Sequence, residues 1–208
     1  MKSHTVLWLL CLALVVFGCG RKANKASSET VLEVPADTLT GSERDTADPL
    51  LDSISPYDEL IKKTATNIGW DWRLFASIIY QESRFKTDLE SSRGAYGPMQ
   101  LMPSIMDHFD VDHDSSIEEH LEAGGKLLLR LEEKLPEEIT DSLEQRKFVL
   151  AAYNAGLNAV LSARTLAEEN GKDPNVWEDN VENYLSGQTV NFVKNVMERY
   201  SHYKTLTE

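Results

Sequence analysis

The chain has 208 residues and a formal net charge of −13 at pH 7. This length accommodates one domain of ordinary size with additional segments. Acidity on this scale argues against nucleic acid and against an anionic membrane surface as partners. Any anionic polymer that the chain binds must therefore be recognised by shape and hydrogen bonds in a cleft, not by bulk charge.

The amino-terminal residues are typical of an export signal. Lys2 supplies the positive charge, and residues 6–17 form an apolar segment that is too short for an ordinary transmembrane helix. This segment ends at Gly18-Cys19, which resembles a bacterial lipobox. We therefore expect residues 1–18 to be a lipoprotein signal peptide and Cys19 to be lipidated and to anchor the chain to a membrane. The alternative is a simple secretory signal with an incidental cysteine.

Residues 19–53 contain Ser, Thr, Asp, Glu and Ala, without aromatic residues or periodicity. This composition predicts a disordered tether, with a short strand or helix at residues 31–34 as the alternative. Because Gly20 and not Asp follows the cysteine, we expect an outer-membrane lipoprotein with its folded domain in the periplasm. The only other cysteine, Cys11, lies in the signal, so the mature domain has no disulfide and depends on its apolar core.

Residues 54–208 contain capping and turn residues at helical spacing and no convincing run of alternating strands, which predicts a mainly α-helical domain. Ser55 and Pro56 favour a helix start, and Gly69 ends that helix. Asp71 is the expected cap of a second helix that reaches Arg84. The further predicted helices are 98–102, 116–131, 143–155, 158–169, 176–185 and 189–203.

One carboxylate lies at the end of an apolar helical stripe. Phe75, Ile78, Ile79 and Glu82 share one helix face through the i, i+3, i+4, i+7 spacing. A carboxylate on a face that packs into the core is unfavourable unless it is paired or protonated. Desolvation raises a carboxyl pKa, which is what a general acid near neutral pH requires. The structural alternative is a partly exposed or paired glutamate.

Two other segments combine tight turns with polar side chains. Gly94 and Gly97 allow the backbone of residues 94–103 to turn sharply and to approach a ligand. Near the end of another predicted helix, Tyr153 provides a ring for sugar stacking and a hydroxyl group, and Asn154 provides a donor and an acceptor.

The order of Glu82-Ser83, residues 94–103 and residues 151–156 resembles the catalytic module of lytic transglycosylases, lysozyme-like enzymes that cut the glycan strand of peptidoglycan. The resemblance covers roughly residues 57–203 and is closest to the branch called membrane-bound lytic transglycosylase F. It implies an all-α, lysozyme-like fold with a substrate cleft. Further stretches that carry the resemblance are 57–60, 70–74, 80–83 and 173–177.

The resemblance also implies a reaction and a set of site residues, with no cofactor. Glu82 protonates the glycosidic oxygen between N-acetylmuramic acid and N-acetylglucosamine in peptidoglycan glycan strands. It then removes the proton of the muramoyl C6 hydroxyl, which closes on C1 to give a 1,6-anhydro end. The residues expected to bind the sugar or line the cleft are Ser83, Met99, Gln100, Tyr153 and Asn154.

Two other functions stay open at this point. A lysozyme-type hydrolase on the same fold needs a second carboxylate, for which Asp88 and Glu90 are the candidates. A non-catalytic glycan-binding lipoprotein is the other alternative, because Phe192 stands where many members of the family have a tyrosine. A phenyl ring keeps the packing of that residue but lacks its hydroxyl group.

No metal site is expected. Asp110, Asp112 and Asp114 are spaced as in a calcium-binding loop, but the loop lacks the glycine and the final glutamate that such a loop requires. The histidines have no helical spacing typical of metal ligands. Met102 and Leu127 are predicted to be core residues.

Overall fold

The computed structural model describes residues 53–207. The predicted signal peptide, Cys19 and nearly all of the predicted tether therefore lie outside the described residues. The described part is helical, with two isolated β-bridges and no longer strand, which confirms the all-α prediction. Its elements are α1 (Asp58–Asn67), α2 (Trp72–Ser83), α3 (Pro103–His108), α4 (Ile117–Glu132), α5 (Ser142–Ala155), α6 (Leu157–Glu169), a 3-10 helix (Val181–Tyr184) and α7 (Gly187–Leu206).

Helices with strong capping signals in the sequence begin where the sequence predicts that they begin. The Asp71 carboxylate accepts a hydrogen bond from the backbone N–H of Arg73 and begins α2. Ser116 and Glu119 form a reciprocal capping box at the start of α4. Each cap satisfies backbone N–H groups that have no partner within the helix.

The predicted start of α1 is wrong. The Asp58 carboxylate accepts hydrogen bonds from the backbone N–H groups of Ile54 and Ser55, at 2.8 and 2.9 Å, and from the Ser55 hydroxyl at 2.7 Å. These bonds hold residues 54–57 in a turn. The helix therefore begins at Asp58 and not directly after Ser55.

The predicted helix at residues 98–102 is also wrong. Backbone hydrogen bonds of 2.9 Å run in both directions between Tyr96 and Leu101 and close a tight turn. Within it, Gly97 has φ +79° and Gln100 has φ +50°, both in the left-handed region that an α-helix excludes. The short helix α3 begins instead at Pro103, whose ring suits the first helical position.

Three later predictions need correction. Gly156, at φ +89°, ends α5 and directly precedes α6, so α6 begins at Leu157, one residue before the predicted start. Within residues 176–185 only Val181–Tyr184 form a helix, of the 3-10 type. The backbone N–H of Trp177 donates to the Glu144 carboxylate at 2.6 Å. The last helix starts two residues earlier than predicted, with Ser186 as its cap.

Helices α2 and α5 lie at the centre of the packing. Helix α2 packs against α1 and α7, and α5 packs against α4, α6 and α7. Phe75 and Ile78 of α2 and Phe148 and Leu150 of α5 are fully buried. The rigid core thereby fixes the carboxyl-terminal ends of α2 and α5, which carry Glu82 and Tyr153. No helix within residues 53–207 is long and apolar enough to cross a membrane.

Candidate active site

A cleft of about 210 Å³ lies where α2 and α5 end. The turn of residues 91–102 forms one wall, and α3 and α4 contribute apolar side chains. The residues that line the cleft are Glu82, Ser91, Arg93, Ala95, Gln100, Leu101, Met102, Ile105, Leu127, Tyr153 and Asn154. Three segments that are far apart in sequence therefore meet in one cavity.

Glu82 is partly buried in this cleft, and burial raises the pKa of its carboxyl group to about 7. Within residues 53–207, no group donates a hydrogen bond to this carboxylate and no cation pairs with it. Desolvation therefore disfavours its charged form without compensation. Near neutral pH the group is about half protonated, so it both donates and accepts a proton at little free-energy cost.

Tyr153 lies beside Glu82 at the end of α5. Burial, and in addition the charge of Glu82, raise the pKa of the Tyr153 hydroxyl well above its ordinary value. The hydroxyl stays protonated and donates a hydrogen bond of 2.5 Å to the Met99 carbonyl oxygen. This bond joins the end of α5 to the turn that forms the opposite wall of the cleft.

Gln100 is oriented by the same turn. Its side-chain amide nitrogen donates to the carbonyl oxygens of Leu89 and Gly97, at 2.7 and 3.0 Å. Both partners are acceptors, so the nitrogen must face them and the amide oxygen remains as an acceptor for a ligand. Asn154 also lines the cleft, and its amide makes no hydrogen bond within the described part of the chain.

The structure does not bring two of the predicted site side chains into the cleft. Ser83 is only 2% exposed, and its hydroxyl donates to the Ile79 carbonyl oxygen at 3.3 Å. The Met99 side chain is 0% exposed because it packs against α4 at Gly124. The predicted cleft-lining role of the Met99 side chain is therefore wrong, and this residue contributes its carbonyl oxygen, which accepts from Tyr153.

Two residues predicted to be core lie in the cleft wall instead. Met102 is 43% exposed and lines the cleft, as does the partly buried Leu127. The tight turn at Gly97 explains why Met99 is buried and Met102 is exposed, because it directs Met99 inward and leaves Met102 facing the cavity. An apolar wall of this kind is suited to the less polar face of a sugar ring.

Sequence reasoning missed Ser91 and Arg93, which also line the cleft. Arg93 precedes the first glycine of the turn, so its position next to a predicted ligand-binding loop was the available signal. Among the described residues that line the cleft, Glu82 is the only carboxylic acid. Asp88 lies in a separate hollow with Tyr96, and Glu90 is exposed outside the cleft wall.

Phe192 supports the site from behind. It is 6% exposed, and its ring lies parallel to that of Tyr153 with centroids 6.5 Å apart. It is therefore a packing residue and does not line the cleft. In the acidic loop, the Asp112 carboxylate accepts from the Asp114 N–H and the Ser115 hydroxyl, and residues 53–207 contain no group of three side chains suited to a metal ion.

The comparison with protein families identifies one match that covers more than half of the chain. The sequence profile of the family described as "Transglycosylase SLT domain" matches residues 59–176, a range that contains Glu82, the turn of residues 91–102 and Tyr153. The chain belongs to this family.

Curated relatives extend this assignment. The chain is 37% identical over 123 residues to membrane-bound lytic murein transglycosylase F of Stutzerimonas stutzeri, a match that covers 59% of this chain and 25% of the relative. It is 38% identical over 130 residues to the protein of the same name in Yersinia pestis, covering 62% and 26%. The chain thus spans about a quarter of the length of these relatives.

Solved structures agree on the fold. The 70 kDa soluble lytic transglycosylase of Escherichia coli superposes with a TM-score of 0.54 at 25% identity, over 72% of this chain and 24% of that one. An inactive mutant of the lytic transglycosylase Slt from Pseudomonas aeruginosa gives a TM-score of 0.52 at 22% identity, over the same shares of the two chains. The lysozyme-like fold expected from the sequence is therefore confirmed.

Proposed function

We propose that the protein is a peptidoglycan lytic transglycosylase that cleaves the β-1,4 bond between N-acetylmuramic acid and N-acetylglucosamine and leaves a 1,6-anhydromuramic end. The observation that carries this proposal is the single cleft carboxyl group of Glu82, whose pKa is raised to about 7 by burial. Membership of the SLT family and the names of the relatives support the same substrate.

The proposed reaction uses Glu82 twice. The protonated carboxyl group transfers its proton to the glycosidic oxygen, and the bond from that oxygen to C1 breaks while an oxocarbenium-like centre develops, aided by the substrate's acetamido group. The Glu82 carboxylate then takes the proton of the muramoyl C6 hydroxyl. The C6 oxygen bonds to C1, and Glu82 returns to its starting state without consumption of water. Because the nucleophile is tethered to the reacting sugar, it has a proximity advantage over water.

The other polar groups have orienting roles in this proposal. The Gln100 amide oxygen accepts from a sugar hydroxyl or acetamido N–H group, because its nitrogen is bonded to the protein. The Asn154 amide provides both a donor and an acceptor next to Glu82. Ser83 is assigned only a structural part in the last turn of α2, in view of its bond to Ile79.

The lysozyme-type hydrolase is disfavoured because the described residues that line the cleft include no second acid. Paired-carboxylate glycosidases place two carboxyl groups on either side of the bond, about 5 to 10 Å apart. Neither Asp88 nor Glu90 lines the described cleft. The glycan-binding alternative is disfavoured because Glu82 lies in the cleft as a partly buried carboxyl group without a partner, the state that a general acid requires.

Product analysis tests the proposal. Whole peptidoglycan is digested with the wild type and with Glu82→Gln, and the fragments are weighed by mass spectrometry. We expect wild-type fragments that are one water lighter than reducing ends, and no fragments from Glu82→Gln. Asp88→Asn and Glu90→Gln are matched controls that should keep activity. Reducing ends alone would reject the transglycosylase, and equal activity of Glu82→Gln would reject the mechanism.

We further propose that the chain is anchored in the outer membrane through a lipid on Cys19, with the domain in the periplasm. The support is the lipobox-like Gly18-Cys19 sequence and the membrane-bound character in the names of the relatives. Labelling cells with radioactive palmitate should mark the wild type and not Cys19→Ser. Membrane fractionation should then find the variant released from the outer membrane.

A further inference from the structure

The wall of the cleft carries one positive charge, that of Arg93. Among the described residues that line the cleft it is the only cation, and its side chain is exposed. Its guanidinium group forms no salt bridge and no hydrogen bond within residues 53–207. In a chain with a net charge of −13, acidic partners are plentiful, so a cation that has none and faces the cleft is open to a ligand.

A tight turn fixes the backbone of Arg93. The backbone N–H of Gly94 donates to the Ser91 carbonyl oxygen at 2.9 Å, which closes a β-turn with Arg93 at its third position. The turn is held from both sides, because the backbone N–H of Ser91 donates to the Ala95 carbonyl oxygen at 2.8 Å and that of Ala95 donates to the Ser91 hydroxyl at 3.0 Å. The guanidinium group is therefore carried by a rigid part of the cleft wall.

Ser91 adds a second donor to the same part of the wall. Its oxygen accepts from Ala95, and its hydroxyl hydrogen is donated to no residue in the described part of the chain. A hydroxyl group can donate and accept at once, whereas a guanidinium group only donates. The turn thus offers the ligand donors, and the group that matches them is a planar acceptor without hydrogens, a carboxylate.

Glu82 lies in the same cleft but does not neutralise Arg93. No salt bridge joins the two side chains, and burial raises the pKa of the Glu82 carboxyl group, whereas a close cation would lower it. Glu82 donates the first proton from its uncharged form, which does not repel a carboxylate. A carboxylate bound nearby in fact favours this protonated form, because a like charge raises a carboxyl pKa.

We infer that Arg93 and Ser91 bind the free lactyl carboxylate of a muramoyl unit, so that the enzyme prefers glycan strands without attached peptides. The inference rests on the proposed function. The lactyl group is attached to C3 of the sugar whose C1 carries the scissile bond, and a cleft of about 210 Å³ places Arg93 and Glu82 against the same sugar unit.

Peptide-bearing strands lack this carboxylate. Their lactyl carboxyl group is joined to the first amino acid as a neutral amide, so an N–H donor replaces one acceptor oxygen and the charge is lost. A guanidinium group binds such an amide more weakly than a carboxylate. Hydrolysis of this amide is therefore the class of reaction that must supply the preferred substrate.

The test compares two soluble glycan oligomers that differ only at this group. One has free lactyl carboxylates, and in the other they are converted to primary carboxamides. The ionic strength is about 0.15 M, at which long-range repulsion between the chain and the substrate is largely screened. Because a charge-assisted contact is lost in the carboxamide, we expect wild-type kcat/KM to be about tenfold higher on the carboxylate oligomer.

Variants of Arg93 show whether this preference comes from the guanidinium group. Arg93→Gln should lower kcat/KM about tenfold on the carboxylate oligomer and less than about twofold on the carboxamide, whereas a merely structural loss would lower both equally. Arg93→Lys should restore part of the preference, because it keeps the charge without the planar fork. The matched control is Lys86→Gln, which removes one positive charge from an exposed side chain outside the cleft and should keep the full preference.

Three outcomes would overturn the inference and leave the transglycosylase intact. Two of them are equal cleavage of both oligomers by the wild type and an unchanged preference in Arg93→Gln. The third is cleavage of peptide-bearing strands as fast as the carboxylate oligomer and with the same dependence on Arg93, which would mean that the guanidinium group binds a peptide carboxylate.

Absence of cleavage of every substrate by the wild type would instead contradict the proposed function. Titration calorimetry with the two oligomers then decides on the site. Binding of the carboxylate oligomer about tenfold more tightly than the carboxamide, with loss of this difference in Arg93→Gln, would still support a carboxylate site. Equal affinities would overturn it.

Discussion

At the scale of single residues, the burial of Glu82 has a cost in stability. Its pKa is about 7 in the folded protein, against an ordinary value near 4.5. Between these two pH values the folded state binds more protons than the unfolded state, so the free energy of unfolding falls as the pH rises. The pKa shift corresponds to a loss of about 3 kcal/mol in the free energy of unfolding. This loss is absent below pH 4 and complete above pH 8.

Glu82→Gln should therefore stabilise the protein at pH 8 and have little effect at pH 4. We expect a gain on the order of 2–3 kcal/mol in the free energy of unfolding at pH 8, since the amide carries no charge to desolvate. Urea denaturation at both pH values measures it. The exposed Glu90→Gln is the control and should change stability by less than about 0.5 kcal/mol at either pH. A destabilised Glu82→Gln at pH 8 would contradict the burial argument.

The same pKa predicts how activity depends on pH. Only the protonated form of Glu82 delivers the first proton, so kcat/KM should be constant below pH 6 and fall as the pH rises through about 7. Well above that pH the decrease approaches tenfold per unit. Ionisation of Tyr153 causes no second change in kcat/KM in this pH range, because burial raises the pKa of its hydroxyl well above the ordinary value. Initial rates of soluble glycan cleavage between pH 4 and 9 measure the profile, and a midpoint near pH 4.5 would show that Glu82 is solvated.

Tyr153→Phe isolates the contribution of one hydroxyl group. The variant keeps the ring stacked on Phe192 but leaves the Met99 carbonyl oxygen without its donor. An unpaired buried acceptor costs about 1–3 kcal/mol, which thermal unfolding detects. We also expect kcat/KM to fall, because the turn that carries Gln100 loses its connection to α5. Tyr200→Phe, whose hydroxyl bonds to Asp71, is a matched control that should affect stability alone.

At the scale of helices, α4 fixes the turn of residues 91–102 through a glycine. A Cβ atom on Gly124 would lie 2.1 Å from the Met99 sulfur, so Gly124→Ala requires the Met99 side chain to shift. Overpacking of this kind costs about 1–3 kcal/mol. It also displaces the Met99 carbonyl oxygen and Gln100, so we expect activity to fall together with the midpoint of thermal unfolding.

Gly187→Ala is the matched control for this substitution. It lies in α7 with no atom within 4 Å of its added Cβ, so the higher helix propensity of alanine should leave stability equal or improved. Gly124→Ala combined with Met99→Ala should recover part of the activity, since the smaller side chain removes the clash. Full stability of Gly124→Ala alone would mean that the packing of Met99 on α4 is loose.

The helices show which parts of the fold the sequence predicts. Helices α2 and α4 are predicted closely because caps at Asp71 and Ser116 and apolar periodicity agree. The turn at residues 94–102 is harder, because its left-handed Gln100 depends on a contact with Leu89, eleven residues away. The helix face of Glu82 predicts a carboxylate near the core, and the resemblance of three segments to a known family is what assigns it to the candidate site. The positions of Met99 and Met102 depend on the tight turn, which neither hydropathy nor spacing reveals.

At the scale of the whole molecule, the net charge of −13 opposes the approach of an anionic substrate. The short stem peptides attached to the muramoyl units of peptidoglycan add carboxylates to the glycan, so protein and polymer repel each other wherever local contacts do not compensate. Specificity must then come from short-range hydrogen bonds in the cleft, which act over a few ångströms.

This balance predicts an unusual response to salt. The screening length shortens from about 30 Å at 0.01 M to about 8 Å at 0.15 M ionic strength, so long-range repulsion decreases while contacts in the cleft persist. We expect kcat/KM on soluble peptide-bearing strands to rise about threefold over this range. Strands with amidated carboxylates are the control and should show no rise. A decrease in kcat/KM with salt would instead mean that local attraction by Arg93 in the cleft wall outweighs the charge of the whole chain.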